Sequence, residues 1–587
     1  MSLTEKGTLP QTALPTTTSP TRRSRLPVFG LFALLGLFVY TSVHTPVFSR
    51  PCHSHQTNVQ AAKCPTQGSA LNVGLDWDPV ADAAYASLAA ARLSKAVQIE
   101  TVSYDDLPLD PTGPRFDGHA KFSSFLEAEF PKIYDTLEHD MVNTHAHLFT
   151  WQGKNTSLKP VLLMAHIDVV PVNPSTIDQW TYPPFEGKIS VNGTKDTPGI
   201  WLNGRGSSDC KNSLMGIFGA VERLVSEGFQ PERTILIANG FDEEVGNASL
   251  RAPSPADRSS PPQIGGPRGA GHLAAEIEKR YGQHSISFLV DEGFSGITHE
   301  YGATVASLGM AEKGAVSLGI KVETPGGHSS VPPEHTGIGI LSKLLSALED
   351  HPFTPSLTSE SPFLKYLSCL SEHAPEFPKS VSKQIKNPKR WKSLAKTLAS
   401  SDRVANSFLA TTQAIDLING GVKINALPEV VEAFVNYRVA FTSSVNATKE
   451  HVIAVLAPVA SAFNFTFSAF DTSSAESVRH VSLFVQGESA LEPAPITSSD
   501  TESFQLLAGT CKAVFGKDTI VSPTGMFANT DTKWMWNLTE NIYRFTPAVL
   551  TENLNQHTVN ERISLEGHLT TTRFFYKLIR NTEGWQG

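Results

Sequence analysis

Three features that define common protein classes are missing from this sequence of 587 residues. Its five cysteines do not have the paired spacing of a zinc finger. The formal net charge is −9 and there is no long basic block, which argues against nucleic acid as the main partner. No Gly-x-Ser-x-Gly elbow stands where a serine hydrolase would need its nucleophile. Any catalytic groups must therefore come from other side chains.

The few cysteines leave the redox state open. Cys52 and Cys64 lie close in sequence, and in an oxidising compartment they could form a disulfide. The odd number leaves at least one free thiol, and Cys210, next to Asp209, is the first candidate for it. A packed, unreactive thiol is the alternative interpretation of Cys210, and it is the one that we favour.

Charged residues are absent from residues 26–43, which follow three arginines at positions 22, 23 and 25. A run of this length reaches the lower limit for a membrane-spanning helix. A cleaved signal peptide is the alternative, but no clear small-x-small cleavage site follows the run. We therefore predict a single-pass membrane protein with a disordered cytosolic tail at 1–25, a transmembrane signal-anchor at 26–46 and a lumenal stalk at 47–75. Six sequons permit glycosylation of a lumenal body: Asn155, Asn192, Asn247, Asn446, Asn464 and Asn537.

Polar side chains follow three apolar runs, residues 161–165, 233–238 and 286–290, that predict strands buried on both faces. In open α/β sheets, ligands gather beyond the carboxyl ends of the strands. Histidine or carboxylate side chains stand at each of these ends: His166 and Asp168, then Asp242, Glu243 and Glu244, then Asp291 and Glu292.

The Asp242-Glu243-Glu244 stretch carries the clearest chemical signal. Adjacent carboxylates at the end of a strand are costly unless a cation absorbs their repulsion, and a divalent metal is the natural candidate. One glutamate can then bind the metal while its neighbour moves protons. An isolated acidic stretch is usually a solvated surface turn, but the other clusters favour a metal site.

Two further positions fit such a site. His166 can bind a metal. Asp168 lies two residues further along an extended segment, so its side chain is on the same side and can orient the imidazole of His166. Asp209 follows a glycine-rich stretch and precedes a predicted helix over residues 213–224, where a carboxylate can bridge two cations. Taken alone, Asp209 would more often be a helix N-cap.

Residues 247–265 interrupt this pattern with a proline- and serine-rich segment. Without the segment, Gly246 would lead directly into Gly266, and a helical pattern resumes over residues 271–281. We interpret the segment as an unusual insertion near the metal site, and an unspliced intron in the gene model is the alternative.

Five motifs occur in one order, and together they resemble the di-zinc exopeptidase family of carboxypeptidase S, aminoacylase and glutamate carboxypeptidase. The similarity covers residues 75–585 and is greatest to the carboxypeptidase S branch, whose fungal members are vacuolar Gly-Xaa carboxypeptidases. It implies an α/β fold, with a mixed-sheet catalytic domain flanked by helices and an inserted smaller α+β (ferredoxin-like) domain. The motifs are His166-x-Asp168, Gly204-Arg205-Gly206-x-x-Asp209-x-Lys211, Asp242-Glu243-Glu244-x-Gly246, Asp291-Glu292-Gly293 and Gly326-Gly327-His328-Ser329-Ser330.

The resemblance implies a metal site with two Zn²⁺ ions per subunit. His166, Asp209 and Asp291 would bind one ion. Asp209, Glu244 and the late histidine His557 would bind the other, so that Asp209 bridges the two.

Catalytic and substrate-binding residues are implied in the same way. Asp168 would orient a metal-binding histidine, and Glu243 would be the general base. His328, Asn425 and Arg438 match family positions that contact the substrate, because an arginine can pair with a C-terminal carboxylate and a histidine can steady an oxyanion.

The function implied is that of a zinc-dependent metallocarboxypeptidase that releases C-terminal amino acids from short peptides of the Gly-Xaa type. An N-acyl amino acid amidohydrolase stays open, because both reactions cleave an amide beside a free carboxylate. A catalytically inactive binding protein is disfavoured, since Glu243 and all the ligand candidates are present. The implied partners are the peptide or N-acyl amino acid, a membrane through the N-terminal helix and a second subunit through the inserted domain, in a vacuole- or lysosome-like compartment.

The predicted domain order places the first part of the catalytic domain at 76–312, the inserted lid or dimerisation domain at 313–470 and the second catalytic part at 471–587. Strands are predicted over residues 314–322, 420–428 and 432–438, and helices over 338–348, 502–515 and 565–580. Residues 351–410 exceed what the simplest family members need, and the sequence predicts no role for them.

Overall fold

The computed structural model describes residues 63–587, except for residues 75, 109, 192, 194–197, 246–264 and 472–477. The predicted tail at 1–25 and anchor at 26–46 lie outside the described residues, as do most of the predicted stalk and almost all of the insertion.

The helices and strands alternate through the first half of the chain and group around a second sheet in the middle. The helices are α1 (Ala83–Val97), α2 (Asp117–Glu129), α3 (Pro131–Thr136), α4 (Lys211–Ser226), α5 (Ala270–Tyr281), α6 (Gly337–Asp350), α7 (Pro362–His373), α8 (Lys379–Ile385), α9 (Trp391–Ser401), α10 (Arg403–Leu409), α11 (Val445–Ala462), α12 (Glu502–Phe515) and α13 (Leu565–Asn581). The strands are β1 (Glu138–Val142), β2 (Ala146–Trp151), β3 (Val161–Met164), β4 (Lys188–Ser190), β5 (Trp201–Asn203), β6 (Ile235–Asn239), β7 (Phe288–Glu300), β8 (Ala303–Glu312), β9 (Gly314–Glu323), β10 (Gly327–His328), β11 (Thr412–Gly420), β12 (Ala426–Leu427), β13 (Val430–Val439), β14 (Thr466–Ala469), β15 (His480–Leu491), β16 (Ile520–Met526), β17 (Ile542–Val549), β18 (Asn553–Leu554) and β19 (Arg562–Ser564).

The main sheet has eight strands in the order β1-β2-β6-β3-β7-β17-β8-β16. It is mixed, since β3 runs parallel to both β6 and β7 while β1, β2 and β6 pair antiparallel. Every residue of β3 and β6 is buried, as expected for strands covered on both faces. Helices including α1, α4, α12 and α13 share one hydrophobic core with this sheet. The predicted mixed sheet flanked by helices is therefore confirmed.

A small four-stranded sheet, in the order β18-β19-β5-β4, lies at the edge of this layer. In it β19 pairs antiparallel with β5, so that Ser564 lies opposite Trp201 and Arg562 lies opposite Asn203. This pairing brings the loop after β5 beside the loop before β19, although the two are far apart in sequence.

The second large sheet has five strands in the order β11-β13-β9-β15-β14 and a hydrophobic core of its own. Apart from helices α7–α10 and the short strands β10, β12 and β14, its elements come in the order β9, α6, β11, β13, α11 and β15, which is the βαββαβ order of a ferredoxin-like unit. Strand β15 pairs with β9 in this sheet, so the sheet continues to Leu491, beyond the predicted boundary at residue 470.

Two local predictions differ from the structure. The strand expected over residues 420–428 is largely a hairpin connection, in which Gly421 has φ +77° and only β12 pairs with β10. The strand that pairs with β13 is β11, ending at Gly420. Residues 351–410 contain helices α7–α10, and α7 packs against β8 and β16 of the main sheet. Helix α7 therefore packs this segment against the main sheet.

A disulfide joins Cys64 to Cys369 in α7. The predicted partner of Cys64, Cys52, lies outside the described residues, and the pairing proposed from proximity in sequence is corrected by this bond. Beside it, the Gln67 side-chain amide donates to the Val521 carbonyl (2.8 Å) and accepts from the Val521 N–H (2.9 Å). The first described residues thus cover the exposed edge of β16, the last strand of the sheet.

Among the described residues, no helix has both the length and the apolar character needed to cross a membrane. This finding contradicts the predicted localisation as a single-pass membrane protein with a lumenal body. We withdraw that assignment, and the residues on which it was based lie outside the described part of the chain.

Candidate metal centre

The ends of three adjacent strands bring the predicted site together. Strand β3 lies between β6 and β7 and runs parallel to both, so the residues that follow these strands meet at one edge of the sheet. His166 follows β3, Glu243 and Glu244 follow β6, and Glu292 lies in β7 at the same edge. The buried apolar runs thus carry polar side chains to the sheet edge.

His166 is almost fully buried and has a defined orientation. Its Nδ1 donates to the Asp168 backbone carbonyl at 2.9 Å and lies 3.3 Å from the Asp168 carboxylate. Its Nε2 faces two carboxylates, Asp209 at 3.2 Å and Glu292 at 3.1 Å. Because Nδ1 carries the proton in this arrangement, Nε2 is free to bind a metal.

Asp209 lies between the two histidines. One of its carboxylate oxygens is 3.2 Å from His166 Nε2, and the other is 3.2 Å from His557 Nε2. His557 Nε2 is also 3.0 Å from Glu244 Oε1. Asp209 therefore has the geometry of a bridge between two positions, one beside His166 and one beside His557 and Glu244.

Asp168 orders the acidic turn as well as the histidine. Its two carboxylate oxygens accept the backbone N–H of Glu243 at 3.1 Å and of Glu244 at 3.0 Å. These bonds tie the end of β3 to the end of β6. They fix the backbone of the turn from which the Glu243 and Glu244 side chains extend.

The third strand contributes a residue that the sequence analysis did not select. Asp291, the predicted ligand, accepts the Glu292 backbone N–H with one carboxylate oxygen, and its other oxygen is buried without a hydrogen bond. It belongs to neither of the side-chain groups that lie close enough together to hold a metal in the described chain. Its neighbour Glu292 contacts His166 instead. Successive residues of a strand face opposite sides, so only one of the two can face the histidine.

We refer to His166, Asp209, Glu244, Glu292 and His557 as the carboxylate–histidine cluster. The pKa values of several groups in it, and of the adjacent Glu243, differ strongly from their usual values. Burial and the nearby Glu244 raise the pKa of Glu243 to about 8, and burial and Asp209 raise the pKa of Glu244 to about 7. Burial also raises the pKa of Glu292 to about 8. Hydrogen bonds with Asp209 and Glu244 raise the pKa of His557 to about 11. These carboxylates repel one another in a buried place, and added positive charge would relieve that repulsion.

Cys210 lies at the rim of the cluster. Its sulfur, a His166 ring nitrogen and a Glu292 oxygen all lie within 4.8 Å of one another. The thiol is free and buried, and burial with Glu292 nearby raises its pKa well above the usual value. These conditions favour the protonated thiol.

The described residues on either side of the predicted insertion contact each other. The Gly266 N–H donates to the Asp242 carbonyl at 2.7 Å. The Asp242 carboxylate accepts from the Gly269 N–H (2.8 Å) and from both the N–H (3.0 Å) and guanidinium (3.1 Å) of Arg268. The chain that follows residue 264 therefore returns beside the acidic turn. Its residues Arg268 and Gly269 hold the Asp242 side chain in place.

The predicted substrate contacts fall in two places. Arg438 in β13 donates to Asn529 Oδ1 at 2.8 Å, and Asn529 Nδ2 donates to the Lys313 carbonyl at 2.6 Å where the chain passes from β8 to β9. Within the described chain, no carboxylate lies within salt-bridge distance of Arg438. His328 lies on the exposed β10–β12 ladder and Asn425 directly precedes β12. Neither hydrogen-bonds to the cluster in the part of the chain that is described.

The donor set fits a pair of divalent metals. The cluster offers imidazole nitrogens and carboxylate oxygens without a thiolate, which suits catalytic zinc or a related ion. His166, Asp209 and Glu244 offer ligand atoms that lie within 4.8 Å of one another. A bound divalent ion would favour the ionised form of these buried carboxylates and so lower their raised pKa values.

Comparison with known proteins agrees with this geometry. The description "Peptidase family M20/M25/M40" matches residues 162–581, which include every residue of the cluster. The chain belongs to this family. It is 37% identical to carboxypeptidase S of Saccharomyces cerevisiae over 85% of each chain. It is 32% identical to the N-fatty-acyl-amino acid synthase/hydrolase PM20D1 of Bos taurus over 83% of this chain and 86% of that one.

A solved structure supports the M20 fold independently. The M20 family metallo-carboxypeptidase Sso-CP2 from Sulfolobus solfataricus superposes with a TM-score of 0.54 at 16% identity, over 84% of this chain and 98% of that one. Family membership and the carboxypeptidase relatives make this chain a hydrolase of the metallo-carboxypeptidase class. The predicted resemblance and enzyme class are therefore confirmed.

Proposed function

We propose that this M20 family member uses two Zn²⁺ ions to release C-terminal amino acids from short peptides of the Gly-Xaa type. The observation that supports this most strongly is the arrangement around Asp209, whose two carboxylate oxygens face His166 and His557. In this proposal His166, Asp209 and Glu292 hold one ion, and Asp209, Glu244 and His557 hold the other. Glu292 replaces the predicted Asp291, because Glu292 is the residue that contacts His166.

Glu243 is the proposed general base. When bound, the two zinc ions would polarise the scissile carbonyl and acidify the attacking water. Glu243 takes a proton from that water and delivers it to the nitrogen of the leaving amino acid. Its pKa of about 8 reflects burial and the charge of Glu244, and positive charge at the cluster would lower it. Asp168 keeps this carboxylate in place through the backbone of the turn.

Arg438 is the proposed recognition group for the substrate's free carboxylate. Its guanidinium is largely buried and donates to the neutral Asn529. Asp416 is near enough to act on its charge, but no carboxylate of the described residues forms a salt bridge with it. Burial and Arg438 lower the pKa of the nearby Lys313 to about 7, and an anion bound there would favour its charged form. An anionic group would therefore be favoured beside Arg438.

An N-acyl amino acid is the second candidate substrate. A specific observation favours it, because a relative of 32% identity is named for fatty-acyl amino acids. Such a substrate has the same amide and the same free carboxylate as a blocked dipeptide. The acyl side of the cleaved bond is what separates the two.

We also propose that two subunits associate through the second sheet. Strand β11 is an edge strand, and Ile418, Val422 and Ile424 are exposed on and after it. Exposed edges with apolar side chains are surfaces that other chains can cover. Light scattering of the purified protein tests this, with Ile418→Lys expected to shift the mass from two subunits to one.

The function is tested with purified protein and a blocked Gly-Leu dipeptide, before and after chelation. We expect hydrolysis that chelation abolishes and zinc restores, with two zinc ions per chain by elemental analysis. Glu243→Gln should retain both ions and lose activity by about 10²–10⁴-fold, because it removes the base but no ligand. The same assay with N-acyl amino acids ranks the two substrates.

Each result is decisive for one part of the proposal. Protein that holds two ions and cleaves only acyl-amino acids would replace the peptide by the second candidate. Protein that binds no metal would overturn the site. A Glu243→Gln variant with near-normal activity would mean that another group is the base.

A further inference from the structure

The carboxylate of Glu561 is enclosed by the loop that carries Asp209. Its Oε1 accepts three backbone N–H groups, from Gly206 at 3.0 Å, Ser208 at 3.0 Å and Asp209 at 3.1 Å. Its Oε2 pairs with the guanidinium of Arg205. The side chain is fully buried, so none of these bonds is shared with bulk water.

Glu561 also belongs to the loop that carries His557. It directly precedes β19, which pairs with β5, and its backbone carbonyl accepts the Gly204 N–H at 2.9 Å. Four residues earlier, His557 has φ +59°, and Asn555 and Asn560 have φ +63° and +61°. The Asn555 amide donates to the Asn560 carbonyl at 3.1 Å, which closes the loop on itself. A displacement of Glu561 would therefore move this closed loop relative to Asp209.

We infer that Glu561 is a positioning residue that fixes Asp209 and His557 relative to each other and so sets the affinity of the metal position they share. This inference rests on the proposed two-metal function. The two loops are also joined by the β5–β19 pairing and by the Ser208 hydroxyl, which donates to Asn553 Oδ1. Glu561 differs from these links because it accepts the backbone N–H of Asp209 itself.

A carboxylate is suited to this task because one oxygen receives three N–H groups. Hydrogen bonds to an ionised acceptor are shorter and stronger than those to a neutral one. Arg205 balances the negative charge, so that Glu561 adds little to the repulsion among the carboxylates of the cluster. A glutamine at this position keeps the shape of the side chain. If its amide oxygen accepts the three backbone N–H groups, those hydrogen bonds are weaker and its amide nitrogen faces Arg205.

The alternative is that the Arg205–Glu561 pair only stabilises the fold. In that case its loss would lower stability without distinguishing between the two metal positions. The matched control is Glu222→Gln, because Glu222 forms a similar ion pair with the buried Arg92, 2.6 Å away between α1 and α4. Glu222 has no contact with the cluster among the contacts of the described chain.

The experiment measures zinc affinity by competition with a chromophoric chelator in the full-length wild-type protein, Glu561→Gln and Glu222→Gln. We expect Glu561→Gln to weaken the ion proposed at Asp209, Glu244 and His557 by about 10–100-fold. The other ion should weaken less, because it shares Asp209 but takes no ligand from the His557 loop. Glu222→Gln should leave both affinities unchanged. Cobalt-substituted protein gives a second readout, since the visible absorption of one of two Co²⁺ ions should change in Glu561→Gln alone.

The inference is overturned if both zinc affinities stay at the wild-type values in Glu561→Gln. It is also overturned if both fall equally together with the melting temperature, which is the result expected of a purely structural pair. If Glu561→Gln gives no folded protein, Glu561→Asp is measured in its place with the same expectation, because the shorter side chain moves the carboxylate away from the three N–H groups. Wild-type protein without bound metal would instead remove the proposed function itself.

Discussion

At the level of single residues, the cluster depends on which of two adjacent carboxylates faces His166. A Glu292 carboxylate oxygen lies 3.1 Å from His166 Nε2, whereas the Asp291 carboxylate accepts a hydrogen bond from the Glu292 backbone N–H. The two have similar chemistry, so only their directions from β7 separate them.

A pair of neutral substitutions tests this assignment. Glu292→Gln should weaken zinc binding by more than about 100-fold because it removes a ligand, whereas Asp291→Asn should cost no more than the 10–100-fold typical of a residue outside the ligand set. Zinc competition titrations measure both. The reverse ranking would restore Asp291 as the ligand.

Arg438 supports a prediction about substrates. Arg438→Ala should lower kcat/KM for a blocked dipeptide with a free C-terminus by about 10–100-fold, because charged hydrogen bonds contribute roughly 1.5–3 kcal/mol. The C-terminal amide of the same peptide is the control, and its slow hydrolysis should not change. An equal loss on both substrates would show that Arg438 does not recognise the carboxylate.

Several site residues could be predicted from the sequence because their motifs fix both type and order. His166, Asp209, Glu243 and Glu244 follow predicted strands or precede a helix, and the structure brings them to one sheet edge. Glu292 could not be separated from Asp291, since alternation along a strand gives two faces but not which one is inward. Glu561 could not be predicted from a pattern, because its partners are Arg205 and backbone groups of residues more than 350 positions earlier.

At the level of elements, a group of aromatic and histidine side chains lies beneath the acidic turn. His119 in α2 is packed against Phe116, His145 and Phe241, with ring centroids 5.5–5.9 Å apart. Phe241 immediately precedes the acidic motif. Burial lowers the pKa of His119 to about 4. The neutral ring is therefore part of the packing that supports the turn.

This histidine predicts a pH dependence of stability. Between pH 6.5 and about 4, His119 binds a proton in the unfolded chain but not in the folded protein. Protonation therefore favours the unfolded chain, and the free energy of unfolding decreases as the pH falls from 6.5 toward about 4. Urea unfolding of metal-free protein at pH 7 and pH 4.5 should show that His119→Phe loses about 2 kcal/mol less than wild type over this range. Equal losses would mean that His119 titrates normally when folded.

The sequence predicted elements best where an apolar period was long. The helical patterns ending near residues 224, 281 and 580 correspond to α4, α5 and α13. The strand expected over residues 420–428 was wrong because an alternating pattern continues through a glycine hairpin. Helices α7–α10 had no predicted role, since β8 and β16, the strands against which α7 packs, belong to distant parts of the chain.

At the scale of the whole molecule, the Cys64–Cys369 bond closes a loop of 305 residues. It ties the segment that covers β16 to helix α7, which packs on the same strand. The bond therefore fastens the first described residues, the helical insert and the sheet edge together.

Removal of this bond should lower stability. Cys64→Ser combined with Cys369→Ser should reduce the free energy of unfolding by about 2–4 kcal/mol, because the unfolded chain regains conformations that the cross-link excludes. Thermal melting with and without reductant measures the effect. Wild type should melt earlier in reductant and the double variant should not respond. A wild-type melting temperature that reductant leaves unchanged would contradict the prediction.

The separation of the ligands along the chain has a consequence for biosynthesis. His557 contacts Glu244, which lies 313 positions earlier in the chain. Glu561 accepts a hydrogen bond from Asp209, which lies 352 positions earlier. A ribosome makes His166, Asp209 and Glu244 long before it reaches these partners. A growing chain would therefore display its acidic turn without the residues that complete the site. The two metal positions that we propose are complete only after translation has passed His557 and Glu561, so we expect loading with metal to be a late event in the maturation of this protein.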